Sequence, residues 1–422
     1  MPSLLSISRA VALSSLLGHA SAASNSSSNS TGPDADGKYW IYGTGIAASF
    51  IPYGAAVSNL IVHDQFGVPR DLVGGFDNAT YYGIDRQHPH FGSVPGRYAN
   101  RIKNSSFTIE DEHGVPTTYH VLPNENPEPG HPDGVDTLHG GPKGWDWRNF
   151  TVVAHTSSTI VFSLVDPDGE QGFPGEVVSY ITYALGDHTW SFNMLAVATT
   201  KPTPIMLSSH TYWNLDGFAN NVTNQVLNHT LHLPYSGQRV GTDSILIPTG
   251  DILANQPGSV NDFWTAPKQI GANFTAPAGS EIHSNCGFNC TGYDTCYLVN
   301  RDPSVTQGRS WRADDGYVAR LHSPWSGIQL DVYTDQEAFQ VYSCSGMNGT
   351  MALKKTQGLF GNESAEFPRT IPKYGCLVLE VEDWIDAINQ PEWGRGSRQV
   401  FKPGDAPFEL QATYKFSINA TA

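Results

Sequence analysis

One histidine, His210, lies in residues 208–217 (SSHTYWNLDG), between small hydroxyl residues and two aromatic residues. An imidazole titrates near neutral pH, so it can donate or accept a proton during a reaction. Two prolines precede the run and an Asp-Gly turn signal ends it, which predicts a short strand. On a strand, His210, Tyr212 and Asn214 would share one face, which suits a pocket for a hydroxyl-rich ligand. The competing interpretation is a core histidine bonded to a backbone carbonyl.

A carboxylate, Glu380, lies in a second β-prone run, residues 375–384 (GCLVLEVEDW). The alternation of the run places Glu380 and Glu382 on one face of a strand with Val378, and the other apolar residues on the opposite face. Partial burial would raise the pKa of Glu380 toward the range that suits a general base near neutral pH. The alternative is a solvent-facing carboxylate on an edge strand.

Three further stretches combine polar side chains with glycine or aromatic residues. Residues 96–102 (GRYANRI) offer two guanidinium groups, each a rigid fork of donors for vicinal hydroxyls or a carboxylate. Residues 136–141 (DTLHGG) place a histidine before two glycines, where the backbone can approach a ligand closely. Residues 292–294 (GYD) place an acid in a turn-like segment. Taken singly, each has a structural alternative: a surface ion pair, a loop histidine and a turn former.

The elements that would position these side chains are short β-prone runs separated by turn signals. Such runs occur at residues 40–50, 56–63, 115–122, 151–165, 176–185 and 189–199. No window with helical period and capping residues exceeds about a dozen residues. With 42 glycines and 28 prolines, the pattern predicts an all-β protein, a large antiparallel β-sandwich with long connections at 123–134 and 254–279.

Composition limits the partners of this chain. Charged residues make up 15% of the 422 residues and the formal net charge is −16. The longest basic cluster is the Lys354-Lys355 pair, so we expect no nucleic-acid partner. Neither an internal repeat nor a change in composition divides residues 38–420, which we predict to form one domain.

The first residues resemble a secretion signal. Residues 1–22 contain one charge, a short apolar run and a small-residue cleavage pattern, and the apolar run is too short to span a bilayer. Residues 23–37 are rich in Ser, Asn and Gly, which predicts a disordered linker. We therefore expect a secreted, extracellular protein with no membrane partner. Twelve Asn-X-Ser/Thr sequons, which predict N-glycans, start at Asn25, Asn29, Asn78, Asn104, Asn149, Asn221, Asn228, Asn273, Asn289, Asn348, Asn362 and Asn419.

Five cysteines fit an oxidising compartment. Cys286, Cys290 and Cys296 cluster in one loop-like stretch, whereas Cys344 and Cys376 lie in strand-like contexts. We expect one or two disulfides and one unpaired thiol. A zinc site in the cluster is less favoured because a second Cys/His pair is missing.

Taken together, six stretches resemble the aldose 1-epimerase (galactose mutarotase) family, in the family's order and over nearly all of the predicted mature chain. They are 96–102 (GRYANRI), 138–141 (LHGG), 209–215 (SHTYWNL), 292–294 (GYD), 339–342 (FQVY), and 379–380 (LE) followed by Asp386-Ala387 and Asn389.

This resemblance implies a large β-sandwich of the galactose mutarotase type and an isomerase that interconverts the α and β anomers of a free aldohexose, galactose or glucose. It implies His210 as the general acid and Glu380 as the general base. It implies no cofactor and no metal, and a monosaccharide as the only small-molecule partner. The positions that match the family's sugar-binding residues are Asn100, Arg101, His139, Asp294 and Gln340.

The chain departs from the family pattern at several positions. Ser209 replaces a frequent Asn, Trp213 replaces Phe, and Glu382 stands where Gln is expected two residues after the base. Residues 343–346 (SCSG) replace a glycine-asparagine ending. These departures indicate a divergent secreted branch and leave the preferred sugar open.

Two other functions remain open on the sequence alone. A glycoside-active enzyme would use two carboxylates, Glu380 with Asp294 or with Glu382. A carbohydrate-binding protein without catalysis would hold its sugar with aromatic side chains such as Trp213 and Tyr342.

Overall fold

The structure of the protein is a computed structural model that describes residues 32–419, except 86, 88–89, 302–315, 360–361 and 366. The predicted signal peptide and residues 23–31 of the predicted linker lie outside the described residues. Residues 32–37 form turns in which the carboxylate of Asp34 accepts hydrogen bonds from the backbone of Asp36 and Lys38 and from the indole of Trp40. Residues 32–37, which the sequence analysis placed in the linker, therefore make defined hydrogen bonds. Among the described residues, no helix has the length and apolarity needed to cross a membrane.

Short strands make up most of the regular secondary structure of the described chain. In chain order, β1 to β27 are Tyr39–Gly43, Ile46–Ile51, Ala56–His63, Pro69–Asp71, Arg101–Ile102, Ser106–Glu110, Pro116–His120, Thr137–Leu138, Thr151–His155, Thr159–Asp166, Val177–Leu185, Thr189–Ala198, Thr203–Pro204, Tyr212–Trp213, Thr230–His232, Gln238–Thr242, Pro248–Ala254, Lys268–Gln269, Asp294–Leu298, Ala319–His322, Ile328–Thr334, Ala338–Tyr342, Met351–Ala352, Thr370–Ile371, Leu377–Glu382, Val400–Phe401 and Phe408–Ile418.

Helical structure in the described chain is limited to short segments. A four-residue α-helix, α1, spans Gly396–Gln399. Single 3₁₀ turns span Ala79–Gly83, Lys103–Ser105, Trp145–Trp147, Glu170–Gly172, Ile270–Asn273, Glu281–His283, Ala387–Asn389 and Pro391–Trp393.

Three antiparallel sheets dominate the architecture. The largest has the strand order β18-β15-β20-β21-β27-β12-β11-β10-β9, the second β14-β25-β22-β19-β16-β17, and the third β1-β2-β3-β4. Buried apolar residues of all three sheets pack in one continuous core. This all-β sandwich confirms the predicted fold class.

Alternation of apolar residues explains the central strands of the nine-stranded sheet. In β12, every second residue is buried along ten residues, and β11 shows the same alternation. The buried side chains meet in an aromatic cluster, in which the Trp190 ring lies 5.2 Å from Tyr414 and 6.1 Å from Trp213. Phe50 of β2 stacks on Tyr183 of β11 at 4.5 Å, so the four-stranded sheet packs against the same cluster.

The number of disulfides agrees with the expectation of one or two, with one unpaired thiol, and the structure supplies the pairing that the sequence left open. Disulfides join Cys286 to Cys290 and Cys344 to Cys376, and Cys296 is a buried free thiol. The second disulfide fastens the segment that follows β22 to the start of β25. It therefore fixes one end of the strand that carries Glu380.

Candidate active site

Glu380 lies in the interior of the six-stranded sheet. Its strand, β25, pairs with β14 on one side and β22 on the other, and all six of its residues are buried. The alternation follows the prediction, because Leu377, Leu379 and Val381 enter the main core whereas the Glu380 face does not. The edge-strand alternative is wrong, since Glu380 is only 2% exposed.

His210 lies two residues before β14, which is shorter than the predicted strand. Tyr212 pairs with Val378 across β14 and β25, so continuing this antiparallel register places His210 opposite Glu380. The backbone of His210 bonds instead to another segment: its N–H donates to the Ser93 carbonyl, and its own carbonyl accepts from the N–H of Gly92.

The two side chains are in contact. His210 Nε2 lies 3.5 Å from Glu380 Oε1, and the side chains are 6% and 3% exposed. Burial lowers the pKa of His210 well below its usual value, and the charge of His90 lowers it further. Burial also raises the pKa of Glu380 well above its usual value, and Asp294 adds to this effect while Arg101 opposes it. These opposite shifts disfavour a cationic His210 beside an anionic Glu380 in the unliganded site.

His139 lies beside this pair and is held in one tautomer. The backbone N–H of Asn100 donates to His139 Nδ1 at 3.0 Å, so the proton of the neutral ring is on Nε2. Burial lowers the pKa of His139 well below its usual value, which keeps the ring neutral. Gly140 has a φ of +86°, and a Cβ there would lie 2.0 Å from the Gly96 carbonyl oxygen. Gly140 therefore allows the Gly96 backbone to approach closely, whereas the sequence analysis expected the close approach of a ligand.

A network of charged and amide groups forms another side of the site. Arg101 donates from Nε and Nη2 to the carboxylate of Glu125 at 2.8 and 2.9 Å, and its Nη2 lies 3.7 Å from Asp294 Oδ2. Gln340 donates to Asp294 Oδ1 at 2.5 Å and is paired with Glu380 across β22 and β25. Gln340 Oε1 and Glu380 Oε2 are buried and have no hydrogen-bond partner among the described residues. Both oxygens can accept from a ligand.

Glu382 lies two residues after Glu380 on the same face of β25. Its Oε1 accepts from the Asn100 side chain at 2.8 Å, and its Oε2 is buried without a hydrogen-bond partner among the described residues. Burial raises the pKa of Glu382 well above its usual value, and the charge of Glu380 raises it further. Glu382 therefore anchors Asn100, in surroundings that favour the neutral form of its carboxyl group.

Two residues that the sequence analysis did not single out also reach the site. The His90 ring lies 4.6 Å from that of His139 and 5.3 Å from that of His210. His90 Nδ1 is 2.5 Å from Asp146 Oδ2. Only one weak signal could have found them: His90 precedes Phe91-Gly92, close to the GRYANRI stretch.

Two candidate positions, Arg97 and Trp213, have structural roles. Arg97, considered with Arg101, is 1% exposed and donates to Asp166 Oδ2 at 2.8 Å, away from the site. Trp213 is fully buried against Trp190. The alternative in which Trp213 holds a sugar is therefore wrong.

Two imidazoles and a carboxylate are also donor types of metal sites. Ligand atoms of His139, His210 and Glu380 lie within 4.8 Å of one another. However, His139 Nδ1 accepts the Asn100 amide proton and His139 Nε2 carries the ring proton. Neither nitrogen of His139 offers a free lone pair, so the trio fits hydrogen bonding and not metal ligation.

The fold and the buried imidazole–carboxyl pair fit one class of protein, an enzyme that moves protons on a small polar substrate bound to a β-sandwich. Residues 40–407 match the family model described as aldose 1-epimerase. A probable aldose 1-epimerase of Arthroderma benhamiae is 38% identical over 401 residues, with 90% of this chain and 86% of that protein covered. The galactose mutarotase of Bos taurus is 30% identical over 381 residues, with 90% and 94% covered.

A solved structure shares the fold. The aldose epimerase homologue of C. elegans superposes with a TM-score of 0.70 at 23% identity, with 90% of this chain and 99% of that chain covered. The chain belongs to the aldose 1-epimerase family, and the enzyme is an isomerase.

Proposed function

We propose that this enzyme interconverts the α and β anomers of a free aldohexose, galactose or glucose, with His210 as general acid and Glu380 as general base. The observation that carries the proposal is the 3.5 Å contact between His210 Nε2 and Glu380 Oε1 in a buried site. Membership of the aldose 1-epimerase family supports the reaction type.

The reaction needs two coupled proton transfers. Glu380 removes the proton of the C1 hydroxyl while His210 delivers a proton to the ring oxygen, so the bond between C1 and the ring oxygen breaks and a C1 carbonyl forms. Rotation about the C1–C2 bond then presents the other face of the aldehyde. On closure, His210 takes its proton back from the C5 hydroxyl and Glu380 returns its proton to O1. No net proton enters or leaves.

The substrate itself favours the charged form of the pair. In the unliganded site the opposite pKa shifts of the two groups disfavour a cationic His210 beside an anionic Glu380. A C1 hydroxyl that donates to Glu380 stabilises its carboxylate, and a ring oxygen that accepts from His210 stabilises its imidazolium. Arg101 lowers the pKa of Glu380 and so assists.

The surrounding groups suit the hydroxyls of one hexose. The Nε2–H of His139 donates, whereas the open oxygens of Gln340 and Glu380 accept. Arg101 and Asp294 hold each other within 3.7 Å and supply a donor and an acceptor. We assign Asn100, Arg101, His139, Asp294 and Gln340 to substrate orientation.

Polarimetry of freshly dissolved α-galactose and α-glucose tests the proposal. We expect the wild type to accelerate equilibration, with no loss in the presence of a chelator. His210→Asn and Glu380→Gln should each lower kcat by about 10²–10⁴-fold. His232→Asn and Glu409→Gln, both on the nine-stranded sheet, are matched controls that should keep wild-type rates. Wild-type rates in both site variants would disprove the assigned roles, and release of reducing ends from an oligosaccharide would favour a glycosidase.

We also propose that the enzyme is secreted and N-glycosylated. Supporting this, none of the ten sequon asparagines within the described residues is buried, and eight are exposed. Peptide mass spectrometry after enzymatic deglycosylation should find Asn converted to Asp at several of these exposed positions. Unmodified asparagine at all of them, in protein recovered from the native host's medium, would contradict glycosylation.

A further inference from the structure

Asn100 connects two other residues of the site to each other. Its backbone N–H donates to His139 Nδ1 at 3.0 Å, and its carbonyl accepts from the backbone N–H of His139 at 3.0 Å. Its side-chain oxygen accepts from Arg101 Nη1 at 3.3 Å. Arg101 and His139 therefore belong to one hydrogen-bonded segment, with Asn100 at its centre.

The orientation of the Asn100 amide follows from its contact with Arg101. A guanidinium group only donates hydrogen bonds, so the amide oxygen faces Arg101 and the amide nitrogen faces the other way. That nitrogen, Nδ2, donates to Glu382 Oε1 at 2.8 Å, and Glu382 is fully buried. The bond forms in either protonation state of Glu382, because a carboxylate and the carbonyl oxygen of a neutral acid both accept.

This hydrogen bond links two parts of the site that lie far apart in the sequence. Glu382 and Glu380 share one face of β25. The contact between Glu382 and Asn100 thus joins the segment that contains Arg101 and His139 to the strand that carries the proposed general base.

We propose that Glu382 is a positioning residue that fixes the sugar-binding segment, Asn100, Arg101 and His139, at its distance from the general base Glu380. This inference deepens the proposed function and rests on it. When the bond from Glu382 is lost, Asn100 keeps its bonds to Arg101 and His139, so the sugar still binds. Its C1 hydroxyl is then held less accurately against Glu380, and the proton transfer slows.

Other hydrogen bonds keep the two parts of the chain together without Glu382. The Lys103 N–H donates to Asp386 Oδ1 at 3.1 Å, and the Asn389 side chain donates to the Ser106 carbonyl at 3.0 Å. Asp386 and Asn389 lie beyond the end of β25. We therefore expect Glu382 variants to fold with the change confined to the site.

Polarimetric measurement of kcat and KM in Glu382→Met tests the proposal. Met is apolar and its sulfur is only a weak acceptor, so the bond to Asn100 is lost. We expect kcat to fall about tenfold while KM changes less than about threefold. Glu382→Gln, which keeps an oxygen for Asn100, should restore kcat to within about threefold of the wild type. Glu409→Met is the matched control: Glu409 Oε1 accepts from Asn193 Nδ2 at 2.9 Å in the nine-stranded sheet, and its loss should change neither constant.

A double-mutant cycle shows whether Glu382 acts through Asn100. Asn100→Gly removes the amide and tolerates the φ of +57° at this position. Adding Glu382→Met to Asn100→Gly should lower kcat no further than Asn100→Gly alone. If Glu382→Met does not fold, Glu382→Asp, which is one methylene shorter and withdraws the acceptor, takes its place in the cycle.

Three outcomes would overturn the proposal: a wild-type kcat in Glu382→Met, a rise in KM without a fall in kcat, or additive losses of kcat in the cycle. Failure of the wild type to accelerate mutarotation would instead disprove the proposed function.

Discussion

The nine-stranded and six-stranded sheets use the same antiparallel ladder for different purposes. In β11 and β12, buried residues alternate with exposed or half-buried ones, and the buried set is almost entirely apolar. In β25, all six residues are buried and two of them are carboxylic acids. Burial of an acid opposes folding unless it is neutralised or paired. The first sheet therefore contributes mainly apolar burial, whereas the second also buries two carboxyl groups, one of them the proposed general base Glu380.

The largest effect should separate these two purposes. Trp190→Ala removes the centre of the aromatic cluster in the nine-stranded sheet and should cost about 3–5 kcal/mol of unfolding free energy. Glu380→Gln should not lower the unfolding free energy at neutral pH, since it removes a carboxyl whose pKa is raised by burial. Denaturant unfolding of both variants measures this. If Glu380→Gln lowered the unfolding free energy more than Trp190→Ala does, the two sheets would not differ in this way.

The next effect compares two arginines, each of which donates hydrogen bonds to one carboxylate from two nitrogens. Arg101 binds Glu125 at the site, and Arg320 binds Asp331 within the nine-stranded sheet. Lysine keeps the charge but loses the fork geometry. We expect Arg101→Lys to raise KM about tenfold with a smaller change in kcat, whereas Arg320→Lys leaves both unchanged. Polarimetric initial rates over a range of sugar concentrations measure the two constants. Equal kinetics for the two variants would remove Arg101 from the sugar site.

A smaller effect concerns the second acid of β25. Because the pKa of Glu382 is raised in the folded protein, its protonated form is favoured by folding, and that contribution is lost as pH rises from below the unfolded pKa through the folded one. Glu382→Gln should therefore have the same melting temperature as the wild type near pH 4 and a higher one at pH 8. We expect kcat/KM at pH 7 to change less than about threefold, since Gln keeps the acceptor for Asn100. A lower melting temperature at pH 8 would mean that Glu382 is stabilised as an anion.

The smallest effect tests burial within one strand of the nine-stranded sheet. Tyr183 is fully buried and its hydroxyl donates to the Ala55 carbonyl at 2.9 Å, whereas Tyr180 is 42% exposed. Tyr183→Phe should cost about 1 kcal/mol of unfolding free energy, and Tyr180→Phe about zero. Chemical denaturation measures both. Equal values would show that alternation along β11 does not predict energetic importance.

Local patterns in the sequence predict the fold class and several of the strands. The period of two in residues 176–185 and 189–199 corresponds to β11 and β12 within one residue at each end. The run at 40–50 is instead two strands, β1 and β2, joined by a tight turn. The alternation of apolar and polar residues is a local property of each strand, so it can be read from a single sequence.

The site is less predictable because its contacts are non-local. The structure brings the candidates His210 and Glu380 into contact, but the strand expected at 208–217 shrinks to Tyr212–Trp213 because the backbone of His210 bonds to residues 92–93. Arg97 and Arg101 lie in one motif, yet only the partners distinguish them, and Asp166 is 69 residues from Arg97. His90 and Asp146 are 56 residues apart. The sequence around each of these residues contains no pattern that identifies its partner.

The register of β14 and β25 has a consequence for how this enzyme can diversify. Because Tyr212 pairs with Val378, continuation of the register brings the side chains of His210 and Glu380 opposite each other, with His210 Nε2 3.5 Å from Glu380 Oε1. Asn100 and His139, in contrast, come from connecting segments at the ends of very short strands. Connections of this kind can change in length and sequence to accommodate a different sugar, while the distance between the His210 and Glu380 side chains stays the same.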